Sequence, residues 1–318
     1  MELIRTYEAD VRRYDASETL YARCGLSGVL LPRLSLGFWH NFGGDDPFER
    51  SRAITRYAFD HGITHFDLAN NYGPPYGSAE ETLGRLMDED FRPYRDELFI
   101  ATKAGYDMWP GPYGNWGSRK YLMASLDQSL RRMHLDYVDL FYSHRYDPAT
   151  PLEETLQALV DIVRSGKALY IGISRWPLEA LKRADEYLRE RDVPLLIYQG
   201  RLNLLDREPM DEGILDYCHE HGVGFIAFSP LAQGLLTDRY LNGIPTDSRM
   251  AKNHFLKEER LTPELMQFLL QLKADAEACG QPMAEYALRW ILCQRGVTSV
   301  LVGASSTEQL AKNLRCLL

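Results

Sequence analysis

The sequence predicts an α/β protein built as a (β/α)8 barrel (a TIM barrel), with an N-terminal β-hairpin before it and a long loop after its seventh strand. Three observations carry this. Eight short β-rich apolar runs alternate with eight amphipathic segments along the chain, the order in which such a barrel is wound. No Gly-x-Gly-x-x-Gly follows a first strand, so the phosphate fingerprint of the doubly wound alternative is missing. The length of 318 residues, 45% hydrophobic and 25% charged, suits a single barrel of about 250 residues with extensions. No linker or low-complexity stretch interrupts it, and one domain is expected over residues 1–318.

The elements follow in order. Short apolar runs around Leu20-Tyr21 and Val29-Leu30-Leu31 flank Gly25 and Ser27-Gly28, which predicts the hairpin. Barrel strands are expected at 34–37, 64–68, 98–102, 138–143, 169–173, 195–198, 224–228 and 299–302. Helices are expected at 48–60, 78–88, 119–133, 152–165, 177–190, 211–221, 283–294 and 306–315. The helix at 152–165 shows the logic: Leu152, Leu156, Leu159, Val160 and Val163 share one face, Pro151 sits at its start and Gly166 just past its end. The longest irregular stretch, 230–263, contains Gly234, Gly243, Pro245 and Pro263. A loop of that length inside a compact domain is usually functional.

Composition narrows the partners. The formal net charge is -9 with no basic block, which argues against nucleic acid and anionic membrane surfaces. Five cysteines, Cys24, Cys218, Cys279, Cys293 and Cys316, form no Cys-x-x-Cys pair, which fits a reducing, cytoplasmic setting rather than a disulfide framework or zinc site. The N-terminal residues contain no apolar run, so no signal peptide is expected. His219-Glu220-His221 lacks a third ligand and is a weak metal signal.

The strand ends carry the chemistry. Asp67 ends one run, Lys103 follows another, His144 follows a third, and Tyr72 sits on the loop after Asp67. In a barrel these positions converge on the C-terminal face, where enzymes of this architecture place their active sites. A phenol, with an ordinary pKa near ~10, donates its proton readily at neutral pH when a cation stabilises its anion. Lys103 is placed to be that cation, with Asp67 keeping it charged, and His144 can hydrogen-bond a substrate oxygen. Alone, each residue has a blander reading: Asp67 as a cap, Lys103 as a solvated charge, His144 as a structural histidine, Tyr72 as packing. Chance rarely ends three barrel strands in this way. Trp39, His40, Trp109 and Trp116, on loops after the first and third strands, are expected to line the substrate pocket.

With Asp67, Tyr72, Lys103 and His144 spaced by 5, 31 and 41 residues, the chain resembles the aldo-keto reductases over nearly its whole length. Stretches 66–77, 101–114, 118–130 and 230–235 resemble the bacterial L-glyceraldehyde 3-phosphate reductase group in particular, a group related to potassium-channel β-subunits. The resemblance implies that these four residues are catalytic and that NADP(H) is the cofactor. It implies cofactor contacts at Trp39, at Ser174 and Arg175 (where the family usually has Ser-Asn), at Gln199, and at Phe228 in place of a ring-stacking Tyr. Ser229, Pro230, Leu231, Gln233 and Gly234 match the loop that clasps the pyrophosphate, with Arg249 adding positive charge. Gly303 and Ser305 open the last helix, whose free N–H groups suit the adenosine 2′-phosphate, and Gln309 and Asn313 match the adenine contacts. It also implies a homo-oligomer, and a further C-terminal helix and loop that this sequence, ending at Leu318, does not contain.

The expected function is NADPH-dependent reduction of small aldehydes, such as L-glyceraldehyde 3-phosphate or methylglyoxal, with Tyr72 as general acid. Two competing classes are a lysine-dependent aldolase using Lys103 as Schiff-base nucleophile, and an NADPH-binding sensor or channel-subunit-like module with slow turnover.

Overall fold

The computed structural model describes residues 7–241, 243–246 and 256–318. Eight parallel strands close into a barrel. In chain order the strands are β1 (Tyr21–Arg23), β2 (Leu30–Pro32), β3 (Leu34–Gly37), β4 (His65–Asp67), β5 (Phe99–Ala104), β6 (Val138–Ser143), β7 (Ala168–Ser174), β8 (Leu195–Arg201), β9 (Gly224–Phe228) and β10 (Val297–Val302). β3 to β9 neighbour one another in sequence order and β10 pairs with both β9 and β3, which closes the ring. The helices are α1 (Ser17–Leu20), α2 (Phe48–Asp60), α3 (Ser78–Leu86), α4 (Arg119–Met133), α5 (Leu152–Arg164), α6 (Leu178–Arg189), α7 (Glu208–Asp211), α8 (Ile214–His221), α9 (Pro263–Ala278), α10 (Met283–Leu292) and α11 (Thr307–Leu314).

The predicted hairpin is present: β1 and β2 pair antiparallel, Ala22 opposite Leu31. It closes the N-terminal end of the barrel. Leu31 and Cys24 are fully buried against the inward-facing Leu140, Ile197, Ile226 and Leu301, and the Leu26 N–H donates to Gly222 O at 2.9 Å. With that end plugged by apolar side chains, the opposite end is left for polar groups.

Inward positions alternate along each strand. Ala101 and Lys103 on β5, Leu140 and Tyr142 on β6, Ile197 and Gln199 on β8 therefore point to the axis, while Ile100, Phe141 and Tyr198 pack outward into the layer shared with the helices. Gly172 on β7 has no alternative. A Cβ there would lie 2.4 Å from the Tyr142 ring, which fills the space beneath the site.

Several bounds differ from expectation. β5 and β8 run further than the apolar runs that announced them, so Lys103 and Gln199 lie within strands rather than beyond their ends. The segment expected as one helix at 211–221 is α7 and α8, divided at Gly213 with φ of 76°. α9 begins at 263, where the long irregular stretch was expected to end, and occupies residues for which no element was expected. Thr262 caps it, accepting from Leu265 N at 3.2 Å, and Pro263 takes its first position. Together with Ala232, Leu235, Leu236, Tyr240 and Leu256 of the long loop, α9 builds a second apolar cluster through Leu269, Leu272 and Ala276. No helix among the described residues is long and apolar enough to cross a membrane.

Candidate active site

Strand register brings the polar groups together. β4 pairs with β5 so that Asp67 lies opposite Ala101, and β5 pairs with β6 so that Lys103 lies opposite Tyr142. Asp67 is the last residue of β4, Lys103 is two residues further along its own strand, and His144 follows β6 directly. Tyr72 comes over the rim on a loop held by backbone bonds from Tyr72 to Ala69 O and from Asn70 to Lys103 O.

Lys103 is fully buried, and its ammonium has three acceptors for its three protons. It pairs with the Asp67 carboxylate Oδ2, donates to Leu68 O at 2.7 Å and reaches the Tyr72 hydroxyl at 3.4 Å. The second Asp67 oxygen accepts from Gln199 Nε2 at 3.1 Å. Both partners of this ion pair are thus hydrogen-bonded beyond each other, the condition under which a buried pair is tolerated. The His144 ring stands edge-on to Tyr72, centroids 5.9 Å apart, and edge-on to Tyr106 at 4.7 Å. Trp39 lies 6.5 Å from the Tyr72 ring.

Burial dominates the titration of these groups. It pulls the Lys103 ammonium below its ordinary pKa, with Asp67 pulling the other way. It pushes the Asp67 carboxyl up, with Lys103 and Gln199 holding it back. The His144 imidazole is driven well below the usual histidine range, first by burial and then by the positive charges of Lys103, Arg175 and Arg145, so it is neutral at neutral pH. The Tyr72 phenol is raised well above its ordinary value by burial and by the negative charge of Asp67. This differs from the sequence-based expectation that Lys103 lowers it. Burial is the first reason, and geometry adds to it: the ammonium gives its shorter contacts to Asp67 and Leu68 O and meets the phenol at a longer distance than either.

The residues expected to hold a cofactor line the same face. Ser174 and Gln199 are ladder partners, both buried, and Phe228 lies opposite Arg201 one strand on. Ser229 is held by Asn203, whose Nδ2 donates to Ser229 O at 3.0 Å. Among the described residues, eight non-glycine residues have positive φ. Six of them, Asn41, Trp116, Arg175, Ser229, Ala232 and Gln233, lie on loops at the C-terminal face, where such strain tends to mark functional sites. Gln233 (φ 59°) and Gly234 (φ 99°) follow one another between Pro230, Leu231 and Leu235, in a turn whose Ala232, Gly234, Leu235 and Leu236 N–H groups donate to backbone carbonyls within the loop. At the start of α11, Ser306 accepts from Gln309 N at 3.2 Å, and Ser305 donates from both N and Oγ to Gln309 Oε1, at 2.8 and 2.9 Å. Gly303 is exposed, and Asn313 is buried with its Nδ2 lacking a partner among the described residues. Arg249 lies outside the described residues.

Two expected pocket residues pack differently from each other. Trp109 folds under its loop against Tyr121 at 5.2 Å, whereas Trp116, 42% exposed, covers the Arg145 guanidinium at 3.5 Å. Sequence reasoning passed over Arg145, Tyr106 and Glu80. Arg145 had one signal, its place directly after the strand-end histidine. Tyr106 had none. Glu80 is fully buried on α3, accepting from Thr102 Oγ1 and from Arg132 Nε, and its charge favours the Lys103 ammonium. No cluster of three or more His, Cys, Asp or Glu side chains suited to a metal exists among the described residues.

The chain is similar to proteins of one family. The model described as "Aldo/keto reductase family" matches residues 33–318. L-glyceraldehyde 3-phosphate reductase of Escherichia coli (strain K12) is 58% identical over 313 residues, covering 97% of this chain and 90% of that protein. A probable voltage-gated potassium channel subunit beta of Arabidopsis thaliana is 33% identical over 302 residues, covering 93% of this chain and 90% of its own. A counterpart of Oryza sativa subsp. japonica is 33% identical over 303 residues. The chain belongs to the aldo/keto reductase family and is an oxidoreductase.

Proposed function

We propose that the protein reduces small aldehydes to alcohols with NADPH, with Tyr72 as the general acid. One observation carries the reading: a buried ammonium, Lys103, touches both a buried carboxylate and a half-buried phenol, with a neutral imidazole edge-on to that phenol. NADPH, when bound, supplies the hydride to the carbonyl carbon. The chain's own residues handle the oxygen. The Tyr72 hydroxyl delivers the proton. Lys103 stabilises the phenolate left behind, Asp67 aims Lys103, and Gln199 fixes Asp67 through the 3.1 Å bond. His144, neutral, contributes one N–H to the developing oxyanion. Part of the donor set fits the cofactor directly: Ser174 and Gln199 for the carboxamide, Phe228 for the ring, and Asn313 Nδ2, without a partner among the described residues, for adenine. Ser305 and the turn at 232–234 would take the 2′-phosphate and the pyrophosphate by exchanging the bonds they now make to Gln309 Oε1 and to backbone carbonyls.

L-Glyceraldehyde 3-phosphate is the first substrate to try, because the relative at 58% identity is named for it. NADPH oxidation against glyceraldehyde 3-phosphate, methylglyoxal and nitrobenzaldehydes, in the wild type and Tyr72→Phe, tests the reading. Turnover that survives Tyr72→Phe removes the proposed acid.

The aldolase reading gains one point, the full burial of Lys103. Against it, all three ammonium protons have acceptors, and a protonated amine has no lone pair to form an imine. Borohydride trapping of an aldehyde adduct on Lys103 would favour it. The sensor reading rests on the channel-subunit relatives and predicts tight NADPH binding with very slow aldehyde turnover.

A further inference from the structure

At the rim beside His144 two guanidinium groups stand without carboxylates. Arg145 and Arg175 form no ion pair among the described residues. By contrast Arg52 and Arg56 share Asp90, Arg119 meets Asp161, Arg183 meets Glu153 and Arg189 meets Asp185. In a chain of net charge -9 other arginines, Arg33, Arg131 and Arg207 for example, also lack ion pairs among the described residues; what sets these two apart is that both contact Tyr106, which packs edge-on against His144.

They are also held rather than loose. Tyr106 is the hub. Its hydroxyl accepts from Arg175 Nη1 at 3.2 Å, its ring face lies 4.3 Å under the Arg145 guanidinium, and its ring meets His144 edge-on at 4.7 Å. Arg145 is clamped between the Tyr106 and Trp116 rings, donating Nε to Gly105 O and Nη2 to Asn115 Oδ1, both at 2.7 Å. Among the described residues Arg145 Nη1 makes no hydrogen bond, and neither do Nε and Nη2 of Arg175. Arg175 itself has φ of 57°, a left-handed backbone that costs a non-glycine residue energy and tends to persist where function requires it. A guanidinium stacked on aromatic rings keeps its planar fork preorganised for an oxyanion.

We propose that Arg145 and Arg175, tied together by Tyr106, form an anion subsite for the phosphate or carboxylate end of a short aldehyde whose carbonyl lies at Tyr72 and His144. The subsite rests on the reductase reading for the carbonyl's position, but not for its own affinity. It selects substrates carrying a negative charge at the end opposite the carbonyl. It also gives Arg175 a task at the pocket mouth, distinct from the carboxamide contact expected of the residue the family usually places there.

The test compares pairs of aldehydes that differ in charge, glyceraldehyde 3-phosphate against glyceraldehyde and glyoxylate against acetaldehyde. In Arg175→Gln, kcat/KM for the anionic member falls about 10- to 100-fold more than for its neutral partner, the value of one charge-assisted hydrogen bond. A selective loss in the first pair identifies phosphate, in the second carboxylate. Arg145→Lys retains the charge and loses the fork, so it shows the same selective loss in smaller measure. Equal losses on charged and neutral aldehydes overturn the subsite. Calorimetric titration with glycerol 3-phosphate needs no turnover: binding that weakens about 10- to 100-fold in Arg175→Gln supports the subsite, whereas no binding to the wild type, or equal binding to both, overturns it. A wild type that binds glycerol 3-phosphate in this way yet reduces no aldehyde sinks the reductase reading alone and leaves the subsite standing.

Discussion

Replacing Lys103 by Met removes the one cation that pairs with Asp67 among the described residues, in a fully enclosed position. The ammonium has no exposed surface and Asp67 is 2% exposed, so water cannot take its place. Asp67 retains only the Gln199 amide at 3.1 Å. Breaking a buried ion pair from one side costs about 3–5 kcal/mol, and Lys103→Met is expected to lie in that range. The sign of its pH dependence follows from Asp67. Burial already pushes this carboxyl above its ordinary pKa, with Lys103 opposing the rise, and removing Lys103 pushes it further. A folded state that holds the proton more tightly than the unfolded chain is favoured as pH falls. Stability of the variant is therefore lost as pH rises from the ordinary carboxyl pKa through the raised folded one, by about 1.36 kcal/mol per pH step inside that window. Guanidinium denaturation at several pH values between about 4 and 8 measures this. Adding Asp67→Asn removes the stranded charge and recovers part of the loss. Lys103→Arg retains the charge but not the fit, and stands between wild type and Met in both stability and NADP⁺-linked alcohol oxidation. A Lys103→Met variant with wild-type stability and no added pH slope would refute the reasoning.

Three further outcomes are expected. Tyr72→Phe lowers aldehyde reduction by at least ~10²-fold while NADPH affinity, read by fluorescence titration, changes only a few-fold; parallel loss of both contradicts a role confined to the substrate oxygen. Because His144 is held well below the usual histidine range and Tyr72 well above the usual phenol range, reduction stays flat between about pH 6 and 9, whereas alcohol oxidation, which needs the phenolate, rises with pH; a histidine-like inflection near neutrality in the reduction profile contradicts it. NADPH binds about ten- to a hundred-fold more tightly than NADH if Ser305 and the start of α11 take the 2′-phosphate, and Ser305→Ala narrows the gap; equal dissociation constants for the two cofactors dispose of that assignment.

The barrel was legible because its signal is local. Apolar runs and amphipathic helices write their own periods, and a polar residue after three of the runs, Asp67, Lys103 and His144, points to one end of the barrel. The structure places Asp67 and His144 at that end. Strand length was less legible, since β5 and β8 continue past their apolar runs only because neighbours supply ladder partners, Ala104 opposite Ser143 and Arg201 opposite Phe228. α9 escaped because its apolar residues do not keep to one face: Leu269 and Leu272 are buried while Phe268 and Leu270 are exposed, so no stripe announces it. Tyr106 and Arg145 lie on successive loops and meet only when β5 and β6 pair. The direction of the Tyr72 pKa was missed for a related reason. A list of neighbouring charges says neither how far the fold buries the phenol, the larger effect, nor which contact is shortest, and Lys103 gives its shorter contacts to Asp67 and Leu68.

That order of contacts bears on how the proposed mechanism, with Tyr72 as the acid, would work. A transition state is favoured by interactions stronger there than in the ground state. Asp67 and Leu68 O hold Lys103 equally before and after the phenol loses its proton, so their bonds fix its position without lowering the barrel site's barrier. The 3.4 Å contact to Tyr72 is different. Against a neutral hydroxyl an ammonium gains little at that distance, whereas against a phenolate in a buried site the same pair attracts strongly. The charge needed to recruit it appears only as the proton leaves. Hydrogen bonds of this kind are often long before substrate is in place and tighten during reaction. The raised phenol pKa belongs to the same proposal, because it would keep the proton on Tyr72 until a substrate oxygen arrives to accept it.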